Sequence, residues 1–171
     1  MTQSDVQIVE MTETTQRWKL EIRPRTRGSV PLHTKIEFSR RVTTEEAVIE
    51  AVSPTVTGAY QLLPLLVRHY PLGAALKQKV RALVGRTTVQ ARDVFDLAIL
   101  LARSGGGAEE LSQERAILPR AVERAMSVSY DDFRGQVVAF LHPDHASSYD
   151  SPEAWDALQI QVVELLAKAS S

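Results

Sequence analysis

Tyr70–Leu101, YPLGAALKQKVRALVGRTTVQARDVFDLAILL, is where the hydrophobic period of the chain changes from two to about 3.6, and that change decides the fold class. Pro71 can open a helix. Leu72, Leu76, Val80 and Leu83 then follow the spacing of a buried helical stripe, and Gly85 ends it. A second helix is expected from about Val89 to Arg103, with Val94, Leu97 and Leu101 as its core stripe and Phe95 and Ile99 beside it.

Upstream, the first 52 or so residues alternate with the period of strands. Asp5–Met11 and Arg17–Arg25 are two candidate strands around a polar turn. In the second, Trp18, Leu20 and Ile22 share one face. Leu32–Ser39 alternates again, with Thr34, Ile36 and Phe38 on one side and His33, Lys35 and Glu37 on the other. Glu46–Val52 is a weaker strand closed by Pro54, and Tyr60–Val67 is a strand or a short bent helix. Downstream, Ser104–Gly107 (SGGG) reads as a flexible stop and the best internal linker. Helices follow at about Leu118–Met126, Tyr130–Leu141 and Pro152–Ala169, with Ser129 and Ser151 as N-caps. The expected fold is α+β: a small antiparallel β-rich part over residues 1–53 and a helical bundle over 54–171.

The 171 residues suffice for one domain or two small lobes, and the composition is that of a soluble globular protein. There is no cysteine, which excludes disulfides and thiolate metal sites and suits the cytoplasm. The opening MTQSDVQIVEMTETTQ has no basic or apolar signal region, and no apolar run is long enough to span a membrane. The net charge of −1 hides a segregation. Arg17–Arg41 carries eight Lys/Arg against Glu21 and Glu37, and Arg68–Arg92 carries six Lys/Arg and no acid. Residues 104–171 carry eleven Asp/Glu against five Lys/Arg. The basic portion could face a nucleotide or RNA, although solvated surface charge is the commoner reason for such runs.

Several side chains are candidates for chemistry. Lys79 sits at the edge of the first helical stripe, where its stem can lie on apolar surface and its ammonium can reach a phosphate or simply water. Arg92, Asp93 and Asp96 open the second helix. The two acids share a face and complement the helix dipole, or one of them partners Lys79, acts as a base or binds a ligand. Glu37 is rigidly aimed by its strand, as a metal-binding acid must be, or is half of an ordinary polar strand face. Residue types and spacing leave each pair of readings open. His142 and His145 in HPDH make a poor metal site. Gly28-Ser29 before Lys35-Ile36-Glu37 imitates the Gly-Ser … Asp-x-Asp opening of a nucleotidyltransferase, but Lys35 stands where the first acid belongs and the gap is short. No P-loop, GxGxxG, HExxH or GxSxG pattern is present.

Gln78-Lys79-Val80-Arg81-Ala82-Leu83, then Arg86, then Ala91-Arg92-Asp93-Val94-Phe95-Asp96-Leu97 resembles the signature of the AbiEii/AbiGii toxin family of nucleotidyltransferases, the toxin halves of bacterial abortive-infection toxin–antitoxin pairs. Thr34–Ser39 resembles the strand that bears the family's later carboxylate. The resemblance implies a polymerase-β-like nucleotidyltransferase lobe with a helical lobe, Mg²⁺ and a nucleoside triphosphate, and transfer of a nucleotide to RNA, such as tRNA, or to protein. It implies that Lys79 holds triphosphate oxygens with Arg92 beside it, that Asp93 or Asp96 supports the site or acts as base, and that Glu37 is a metal carboxylate. The family's Gly-Ser and Asp-x-Asp motif is missing ahead of Glu37. The chain is therefore expected to be the C-terminal part of a truncated or split enzyme, inactive alone, with an N-terminal catalytic partner or an antitoxin as its protein partner. The alternative is a non-catalytic module that binds RNA, a nucleotide or a protein, or that forms a homodimer through an exposed sheet edge.

Overall fold

The computed structural model describes residues 3–11, 15–23, 30–39, 46–59, 61–107 and 109–171, the backbone alone for 3–11 and Ser39. It divides into two compact units, Met1–Thr44 and Glu45–Ser171. Arg25, and the turns expected around Thr12–Thr14 and Gly28, fall outside the described residues.

The first unit is a three-stranded antiparallel sheet in the order β1 (Gln3–Met11), β2 (Thr15–Arg23), β3 (Leu32–Ser39). Its register places Trp18 opposite Ile36, Leu20 opposite Thr34 and Ile22 opposite Leu32. Because side chains alternate along a strand, the apolar positions of β2 and β3 share one face. There Trp18 meets Phe38 edge to face at 6.0 Å between ring centroids. The indole Nε1 of Trp18 is buried without a hydrogen-bond acceptor. The opposite face pairs Arg17 with Glu37, Lys19 with Lys35 and Glu21 with His33.

The second unit opens with a two-stranded antiparallel sheet of β4 (Val48–Ala51) and β5 (Leu66–His69). Between them, Pro54 does more than close a strand: it begins α1 (Pro54–Ala59), which Ser53 caps by accepting the Thr55 N–H at 3.3 Å. A proline at a first helical position loses no hydrogen bond, so the strand breaker is a helix starter here. β5 takes up only the end of the expected Tyr60–Val67 element.

Six helices follow among the described residues: α2 (Leu72–Gly85), α3 (Ala91–Arg103), α4 (Leu118–Met126), α5 (Tyr130–Gln136), the four-residue α6 (Pro143–Ala146) and α7 (Pro152–Ser170). Short 3₁₀ turns cover Ser112–Ile117 and Val138–Phe140. The expected helix through Leu141 stops at Gln136, where Gly135 and the β-branched Val137 and Val138 weaken it. Ser129 and Ser151 cap α5 and α7 by accepting the N–H groups of Asp132 and Ala154. The core is one cluster. Leu76, Val80 and Leu83 of α2 join Val94, Leu97 and Leu101 of α3, and Phe133 stacks on Trp155 at 4.4 Å. Burying a leucine this fully contributes about 1.5–3 kcal/mol.

Ser104–Gly107 is not a linker. Gly105, Gly106 and Gly107 all have positive φ. A Cβ on Gly107 would stand 2.6 Å from Leu76 Cδ2 and 2.9 Å from Leu101 Cδ2. The glycines permit a left-handed turn packed on the core, so composition that signals flexibility serves close approach here.

Candidate functional site

The α2–α3 hairpin positions the candidate cluster. Lys79 lies on the third turn of α2 and Asp93 in the first turn of α3. The apolar stripes of the two helices pack together, and the intervening turn reverses the chain, so the edge of one helix meets the N-terminal turn of the other. Lys79 Nζ is 2.5 Å from Asp96 Oδ2 and 3.4 Å from Asp93 Oδ1. Arg86 Nε donates to the other oxygen of Asp93 at 2.6 Å. The two aspartates differ in access: Asp93 is 0% exposed, whereas Asp96 is 40% and Lys79 33% exposed. Asp93 is thus a buried carboxylate held by two cations, and Asp96 is the acid that a ligand can reach.

Two further contacts fix this hairpin. Arg124 of α4 donates through Nε to the Leu83 carbonyl at 2.6 Å and through Nη2 to the Arg86 carbonyl. Gln136 of α5 accepts the Ala91 N–H at 2.9 Å, satisfying one of the open donors at the start of α3. Nearby on α2, Arg81 forks onto Glu114, which is nearly buried. Arg124 and Gln136 have no local pattern to mark them, because their partners are set by tertiary packing. Only Arg86 had a visible signal, its place between Leu83 and Ala91 in the motif.

Arg92 is exposed and bonds none of Lys79, Asp93 or Asp96. Glu37 lies in the first unit, where Arg17 Nε donates to it at 2.5 Å and Lys35 Nζ stands at 3.5 Å. The Arg17 hydrogen bond, with its charge and that of Lys35, holds the Glu37 carboxyl below the usual range. Among the described residues no three Asp, Glu or His side chains converge as a metal site. Asp93 and Asp96 already share an ammonium, and a divalent cation between them would meet Lys79. These residues therefore do not make a Mg²⁺ site by themselves.

Solved structures share this architecture. A candidate nucleotidyltransferase from H. pylori aligns over 97% of this chain and 65% of its own, with TM-score 0.54 and 14% identity. The protein JHP933 from Helicobacter pylori aligns over 97% of this chain and 63% of its own, with TM-score 0.53 and 14% identity. The chain thus has a nucleotidyltransferase-like α+β fold and spans a little under two thirds of the length of those structures. The family profile described as nucleotidyl transferase AbiEii toxin, Type IV TA system, matches residues 2–168, and the chain belongs to that family. No curated protein matches it. Among the described residues no helix is long and apolar enough to cross a membrane.

Proposed function

We propose that this chain is the C-terminal part of an AbiEii-type nucleotidyltransferase of the bacterial cytoplasm, and that it transfers no nucleotide by itself. The observation that carries the reading is the Lys79 ammonium, one-third exposed between a buried and a reachable aspartate. Asp93 orients Lys79 from below. Asp96 shields the ammonium until an anion displaces it, whereupon Lys79 holds triphosphate oxygens as a point charge. A magnesium ion, which the described residues do not hold by themselves, would supply charge neutralisation of the triphosphate. The acid pair that would hold it comes from a further segment or a separate polypeptide, since the sequence has no Asp-x-Asp and the candidate acids here are occupied by cations. An antitoxin is the regulatory partner that the family implies.

The test is transfer of α-labelled nucleotide from each of the four NTPs with Mg²⁺ to tRNA and protein acceptors. The chain alone should transfer nothing. Adding a polypeptide that carries the Gly-Ser/Asp-x-Asp motif should give transfer that Lys79→Ala abolishes. Transfer by the chain alone would show that its metal acids lie among its own residues. Silence with the partner present would remove the split-enzyme reading.

A second reading draws on the sheet. Lys19 and Lys35 stand directly opposite across β2 and β3. Like charges so placed are unfavourable; Glu37, 3.5 Å from the Lys35 ammonium, is one anion on this face, and a phosphate backbone would add others. A non-catalytic module would bind tRNA through this face. Its binding would survive Lys79→Ala and weaken with Lys19→Glu and Lys35→Glu, and equal loss from both changes would count against it.

A further inference from the structure

A groove of about 320 Å³ runs between α3 and α7. Its α3 wall is Phe95, Ala98, Ile99 and Ala102, and its α7 wall is Ala157, Leu158 and Gln161. The alanines leave it open, and the edge-to-face pair of Phe95 with Tyr149, 5.3 Å between centroids, lines one part of it. Two large apolar side chains stand in water beside this space, Ile99 at 43% and Ile160 at 55% exposure.

The outer flanks of the two helices, beyond the residues that line the groove, carry opposite charge. On α7, exposed Glu153, Asp156 and Glu164 fall with Ile160 on one stripe, at spacings of three, four and four residues. Lys168 is the only basic residue of that helix. On α3, exposed Arg92 and Arg103 lie eleven residues, about three turns, apart on one side. The one acid there that reaches solvent, Asp96, is already neutralised by Lys79. Glu153, Asp156, Glu164, Arg92 and Arg103 make no ion pair among the described residues.

Such a face is self-complementary under one symmetry only. A twofold axis running along the groove lays α3 of one copy over α7 of the other, so each basic bank meets an acidic bank. A twofold axis across the groove would set like charge on like charge. We propose that the α3–α7 face docks a second copy of this chain, with the isoleucines buried at the centre and the arginines of each copy against the carboxylates of the other. A helix from another protein would need to reproduce both the apolar ridge and two opposite flanks, which the chain already presents to itself.

The experiment is sedimentation velocity of the full chain over a concentration series, with circular dichroism to confirm folding. The wild-type chain should dimerise. Reversing the basic bank (Arg92→Glu with Arg103→Glu) should weaken the dimer by about tenfold or more, as should reversing the acidic bank (Glu153→Lys, Asp156→Lys, Glu164→Lys). Mixing the two variants should restore a heterodimer, because every bank then again faces its opposite. A wild-type chain that stays monomeric at high-micromolar concentration overturns the proposal without any variant. A dimer indifferent to both reversals, or two variants that weaken but do not rescue each other on mixing, would overturn it too.

Discussion

Arg86 Nε lies 2.6 Å from Oδ2 of Asp93, a carboxylate with no solvent contact that also receives the Lys79 ammonium on its other oxygen. Such an acid is stable only while its cations stay in place, since an unpaired buried charge costs several kcal/mol.

The two aspartates of the cluster should therefore separate in a stability measurement. Asp93→Ala takes the buried acceptor from Arg86 and one of the two carboxylates from Lys79, and should cost about 1.5–3 kcal/mol. Asp96→Ala removes a half-exposed partner and should cost about 1 kcal/mol or less. Urea unfolding of both variants decides this, and equal losses would mean that Asp93 is not the internal anchor of the hairpin.

Two glycines should respond oppositely to alanine. Gly107 has φ +67° and no room for a Cβ, so Gly107→Ala should destabilise by about 2 kcal/mol or more. Gly135 lies in α5 with nothing within 4 Å of an added Cβ, and Gly135→Ala should stabilise by about 0.4–1 kcal/mol. Thermal melts of the pair provide the comparison.

Acid should weaken the first unit through Glu37. The Arg17 guanidinium that donates to it, with the charge of Lys35 beside it, holds this carboxyl below the usual glutamate range. A depressed folded pKa gives stability that is present above the unfolded value and lost as pH falls through the folded one. Glu37→Gln should then melt earlier than wild type near neutral pH, and the two should converge as the pH falls through the lowered folded pKa of Glu37. A gap that persists in acid would show that the Arg17–Glu37 pair is not its source.

The stacked rings at the centre of the bundle supply a fourth expectation. Phe133 is fully buried on Trp155 and also meets Phe95 at 5.9 Å. Phe133→Ala should cost about 3–5 kcal/mol, read by chemical denaturation, with a change in Trp155 fluorescence. A loss under 1 kcal/mol would mean that the site collapses around the smaller side chain.

Where one periodicity held without interruption, sequence and structure coincide. β3 occupies Leu32–Ser39 and α4 occupies Leu118–Met126, as alternation and the apolar stripe had set them, and both serine caps bond as their positions indicated. Whether Asp93 or Asp96 partners Lys79 was left open by spacing, and the structure brings Lys79 to both. What escaped was tertiary. Nothing near Arg124 shows that it will bond carbonyls of α2 and the following turn, and nothing in SGGG distinguishes a packed left-handed turn from a tether. At Pro54 one residue type serves two local rules, ending a strand and starting a helix.

Arg124 gives the cluster a dependence on assembly order. All four charged members, Lys79, Arg86, Asp93 and Asp96, are in place along the chain once α3 has been made. Yet the guanidinium that fastens the carbonyls of Leu83 and Arg86 arrives 41 and 38 residues later. Gln136, which holds the first amide of α3, comes later still. A polypeptide ending after α3 would contain the motif intact and still lack the geometry. The short-range hairpin waits on long-range closure, so the cluster reports a finished bundle rather than a locally folded segment.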